Sequence, residues 1–109
     1  MGPEARLERL LNQVKKKYKI NAQFKIKISK KVKTTKHDPY MEILFLKTPT
    51  INVYINKFLT RFEKIPDNSL KRILVHELIH FVIHEGVKSK NIKQLRNALR
   101  LVDRMIDGC

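Results

Sequence analysis

Between the cluster Asp67-Asn68-Ser69 and Gly86 runs a stretch, Leu70 to His84, that is apolar on almost every face of a helix. Asp, Asn and Ser favour helix N-caps and Gly favours the position just past a C-terminus, so the flanks mark a helix start and a stop at Gly86. A helix apolar nearly all round has to be buried. A chain of 109 residues can build only one core. The expectation is therefore a single domain over residues 1–109 with this helix at its centre.

Elements on either side supply the rest of that core. Pro3 suits a first helical turn, and Leu7, Leu10, Leu11, Val14 and Tyr18 recur at spacings of three and four, which predicts a helix over about 4–18. From Ala22 to Ser29 the period drops to two, with Phe24, Ile26 and Ile28 alternating with Lys25 and Lys27, a half-buried strand that can extend to Val32. A polar stretch ending in His37-Asp38-Pro39 turns the chain into a second strand, Met41 to Lys47, which Thr48-Pro49 breaks. Ile51, Val53 and Ile55 mark a third strand, and residues 57–66 lead into the central helix. Asn91 caps a last helix with Ile92, Leu95, Leu99, Val102 and Ile106 as its apolar stripe and Gly108 at its end. The order helix, three strands, helix, helix makes an α+β fold.

Lys and Arg number 24 against 10 Asp and Glu, a net charge of +14. Such a field attracts nucleic acid, anionic surfaces or acidic proteins, and speaks of encounters more than of fold. Lys25, Lys27, Lys30, Lys31, Lys33 and Lys36, with Lys15, Lys16, Lys17 and Lys19, form the basic row. Few aromatics interleave with them, so stacking platforms for bases are not evident, and charged outer positions also protect a strand edge. No apolar run approaches the roughly 20 residues that span a bilayer and no signal-type segment opens the chain, so no membrane span and a cytoplasmic setting are expected. The lone Cys109 forbids an internal disulfide and makes a metal more useful as a staple.

The central helix contains His76-Glu77-Leu78-Ile79-His80. Residues four apart share a helical face about 6 Å apart along the axis, so two imidazoles can grip one ion while Glu77 addresses water on it. This HExxH pattern is the zinc-hydrolase signature. An exposed polar edge carrying the same residues is the plainer alternative, disfavoured because nearly every neighbour is apolar. Catalytic zinc usually takes three protein ligands. Asp103 is the first candidate for the third, with Asp107 one turn on to orient a ligand; His84 comes next, about 12 Å along the helix from His76, and His37 last. Arg100 and Arg104 offer both aspartates ordinary surface ion pairs instead.

At His76, Glu77 and His80 the sequence resembles zincin metallopeptidases, and in its order of elements the whole chain resembles the minigluzincins, very short soluble peptidases of thermophilic prokaryotes. The resemblance implies a zinc endopeptidase in which a sheet edge above the cleft pairs with substrate backbone, and a latent zymogen form blocked by the C-terminal segment 91–109. Gluzincins generally draw their third ligand from a Glu of the closing helix, whereas residues 90–109 contain no Glu. The ImmA-like peptidases also show HExxHxxxH, which His84 would complete.

The leading expectation is thus metal-assisted hydrolysis of a peptide or protein substrate, with Glu77 as general base on a zinc held by His76, His80 and Asp103; Tyr40, Tyr54 and His84 are candidate oxyanion donors. A nucleic-acid-binding module with a structural metal is the alternative, and a DNA-recruited SprT-like protease combines the two. A third reading is a latent scaffold whose closing helix or Cys109 occupies the metal. The stripe of the last helix can pack on its own core or on a second molecule, making a homodimer.

Overall fold

The computed structural model describes residues 2–29, 41–54 and 64–107. Helix α1 (Pro3–Tyr18) leads to strand β1 (Lys25–Ser29), then β2 (Met41–Leu44), β3 (Thr50–Tyr54), the long helix α2 (Asp67–Lys88) and the closing helix α3 (Ile92–Asp107). The α+β architecture and the element order are as the sequence predicts. Residues 30–32, Ile55 and Gly108, to which the expected strands and helix end extend, lie outside the described residues.

The sheet has the order β1-β3-β2, with β1 parallel to β3 and β2 antiparallel to it. Ile26 and Ile28 stand beside Ile51 and Val53, and Met41 and Ile43 beside Val53 and Ile51, so one face of the sheet is aliphatic across all three strands. That face joins Leu7, Leu10, Leu11, Val14 and Tyr18 of α1 and Leu70, Leu74, Val75, Leu78, Phe81 and Val82 of α2 in one core. The second strand is shorter than the Met41–Lys47 expected: it ends at Leu44, and Phe45 and Leu46 are solvent-exposed.

Both expected ends of the central helix are corrected. Its N-cap is Pro66, with no side-chain cap, and Asp67 is already helical. The Asp67 carboxylate is engaged instead by Arg6 of α1, whose Nη2 and Nε donate to Oδ1 at 2.7 and 3.1 Å. Arg6 Nη2 also donates to the Ile65 carbonyl at 2.6 Å, so one guanidinium fixes the start of α2 against α1. At the other end Gly86 does not stop the helix, which runs on to Lys88. Gly86 is buried, and a Cβ there would lie 2.8 Å from Ala98 Cβ of α3. The missing methyl lets two helices approach; it is not a terminator. Asn91 does cap α3, its Oδ1 accepting from the backbone N–H of Lys93 at 2.9 Å and of Gln94 at 3.4 Å.

The Gly86–Ala98 contact also sets how α3 is turned. Val102 and Met105 are buried, and Leu95, Ala98 and Leu101 half-buried. Of the five-residue stripe expected to pack, Ile92, Leu99 and Ile106 are exposed. Nor is α2 buried all round: Ile83 and Val87 reach solvent beside His76 and His80. Among the described residues no helix is long and apolar enough to cross a membrane.

Candidate metal centre

Three neighbours of α2 shape its motif. The side carrying Leu74, Leu78 and Phe81 is committed to the core, the side carrying Gly86 to α3, and Glu77 turns toward β2, which leaves His76 and His80 facing solvent. One turn apart on an unbroken helix, their Nε2 atoms converge to 3.2 Å, with ring centroids 4.8 Å apart and planes at 82°. Two nitrogens bound at 2.0–2.1 Å to a tetrahedral ion are about 3.3 Å apart. The pair therefore fits two adjacent positions of a zinc site.

Glu77 is 93% removed from solvent, at 7% exposure, on a helix whose charged neighbours are wet. Burial pushes its carboxyl above the ordinary value, and the nearby His76 and His80 rings and a hydrogen bond donated by the Ile43 backbone N–H pull it back. Ile43 belongs to β2, an edge of the sheet, so the carboxylate sits where α2 meets that edge. A cleft of about 460 Å³ opens there, bounded by Met41, Glu42 and Ile43 on one side and His76, Glu77 and His80 on the other, and it continues to Phe45, Ile83 and His84.

The remaining candidates fall elsewhere. Asp103 is exposed on α3. It lies five residues past Ala98, about 140° around the helix from the face that meets Gly86. Among the described residues no group of three or more His, Cys, Asp or Glu side chains comes together to hold an ion, so the structure does not bring Asp103 or Asp107 to the histidine pair. His84 lines the far end of the cleft, its ring stacked on Phe45 at 3.9 Å and 15°. Tyr54 donates from its hydroxyl to Glu42 across the β2–β3 pair. His37, Tyr40 and Cys109 lie outside the described residues.

Two participants escaped the sequence reading. Glu42 places a second carboxylate in the cleft, and Phe45 provides the platform for His84. The alternation of Met41-Glu42-Ile43 did mark Glu42 as facing away from the aliphatic side, but only the strand order shows that β2 is the edge beside the motif.

Comparison with protein-family models, with curated proteins and with solved structures finds no match. The chemistry of the cleft is then set by its own groups: two imidazole donors at chelating distance, a proton-avid buried carboxylate beside them, and an edge strand along one wall.

Proposed function

We propose that this chain is a zinc-dependent endopeptidase whose reacting centre is the cleft between α2 and β2. The 3.2 Å convergence of His76 and His80 Nε2, with Glu77 buried on the adjoining wall, carries the reading. When bound, zinc supplies Lewis-acid polarisation of the scissile carbonyl and lowers the pKa of a water to about 7. His76 and His80 hold it; the third ligand comes from outside the groups assembled in the described residues. Glu77 takes the proton of the attacking water on a carboxylate oxygen and passes it to the departing amine, a role that its raised proton affinity serves. The outer edge of β2 binds substrate backbone by strand addition, which makes binding tolerant of sequence. The likeness to minigluzincins and a cytoplasmic setting belong to this reading.

Zinc content and hydrolysis of casein test it together. The chain should retain about one zinc; His76→Ala/His80→Ala should lose it, and Glu77→Gln should keep it while hydrolysis falls by about 10²-fold or more. Unchanged zinc in the double variant, or undiminished hydrolysis by Glu77→Gln, overturns the assignment.

A second reading has its own observation. Between α1 and the start of α2 lies a cleft of about 330 Å³ whose rim carries Lys17, Lys71 and Arg72, with Gln13 and Asn68 and, among the described residues, no acidic one. On a chain of net charge +14 this is a place for a nucleic-acid phosphate. DNA or RNA affinity falling steeply with salt, and falling again in Lys71→Ala/Arg72→Ala, supports it; binding blind to salt removes it.

A further inference from the structure

Ile92, Leu99 and Ile106 are 70%, 51% and 56% exposed on α3. They are spaced seven residues apart, so they lie within about 20° of one line along the helix, about 10.5 Å from one to the next. Their exposure is a consequence of the close Gly86–Ala98 crossing, which commits a different face of α3 to the core. What remains is a straight aliphatic ridge on a finished helix, a feature of association surfaces.

We propose that this ridge is where two copies of the chain pair, α3 against α3, antiparallel about a two-fold axis at Leu99. Leu99 is the midpoint of the ridge, with Ile92 and Ile106 equally far to either side. A two-fold there sets Leu99 on Leu99 and Ile92 on Ile106 of the second copy, the self-complementarity such an interface needs. The flanking charges select the direction. Arg96 and Asp103 are exposed, and both lie on the same side of the ridge, about 60° and 40° from Leu99. Antiparallel pairing brings Arg96 beside Asp103 of the second copy, and Lys93 near Asp107. Parallel pairing leaves the two copies' Arg96–Asp103 flanks on opposite sides of the seam and forms no such pair.

Sedimentation of the full chain tests the proposal. From about 1 to 100 µM the 12.9 kDa chain should move from monomer to dimer, with a dissociation constant on the order of 10 µM for so small a contact. Leu99→Glu should stay monomeric over that range with unchanged helical circular dichroism. Arg96→Asp should weaken the dimer about tenfold or more, and Arg96→Asp/Asp103→Arg should recover most of that loss. In a Cys109→Ser background, Leu99→Cys should close a disulfide between copies. Ile92→Cys should not, because the two copies of residue 92 stand about 21 Å apart. A wild-type chain monomeric throughout overturns the proposal, as does a Leu99→Glu dimer, a charge swap that recovers nothing, or cross-linking as efficient at 92 as at 99. A monomer that co-sediments with phosphatidylserine vesicles gives the ridge to a membrane and overturns it as well.

Discussion

Gly86 of α2 stands against Ala98 of α3 with no room for a side chain: any Cβ at 86 would meet Ala98 Cβ at 2.8 Å. Real Cβ atoms do not approach so near, and a methyl group on a packed helix cannot swing aside as a long side chain can. Gly86→Ala should therefore destabilise the chain by about 1–2 kcal/mol, the cost of forcing α3 outward outweighing about 1 kcal/mol of gained helix propensity. Adding Ala98→Gly should give a double variant less destabilised than the sum of the two single changes, as read from urea unfolding at 222 nm.

Acid should weaken the junction between α1 and α2. The Arg6 hydrogen bond holds the Asp67 carboxyl below its ordinary value of 3.8. A folded value below the unfolded one means that the stabilisation is fully present above the unfolded value and is lost as pH falls through the folded one. Thermal melts from pH 5 down to pH 2 should thus show a steeper loss for the wild type than for Asp67→Asn. Parallel curves would show that the pair contributes nothing to stability.

Truncation after Arg104 should unfold the protein rather than unmask the cleft. Met105 is 0% exposed in the core, so shortening the chain there removes a core side chain along with the tail. Met105→Ala in the full-length chain isolates the packing part, and its melting curve should report a loss of about 2–5 kcal/mol.

His84→Ala and Asp103→Ala should both leave zinc content at the wild-type level. His84 is stacked on Phe45 one turn beyond the pair, and Asp103 is exposed on α3. His84→Ala should cost only the stacking interaction, about 0.5–1.5 kcal/mol. A fall in bound zinc in either variant would make that residue the third ligand.

What the sequence revealed was local. The register of α1, the three strands, the Asn91 cap and the pairing of His76 with His80 all follow from spacing within one element. What it concealed depended on contacts between distant parts. Asp67 reads as a cap until Arg6, from 61 residues away, takes its carboxylate. Gly86 reads as a stop until Ala98 is seen against it. The last helix carries two apolar edges, Leu95-Ala98-Leu101-Val102-Met105 and Ile92-Leu99-Ile106. Periodicity alone does not choose between them, and the turn that buries the first edge leaves Asp103 exposed.

The strand order has a kinetic side. Although β2 lies between β1 and β3 in the chain, it lies outside them in the sheet, so it can detach without breaking the β1–β3 ladder. Local opening of least stability is the kind that breaks few contacts, and β2 has four residues and, among the described residues, a single strand partner. Its amides should exchange with deuterium before those of β3. The wall beside Glu77 is then also an edge that can loosen ahead of β3, at the cost of uncovering Met41, which is 1% exposed in the core.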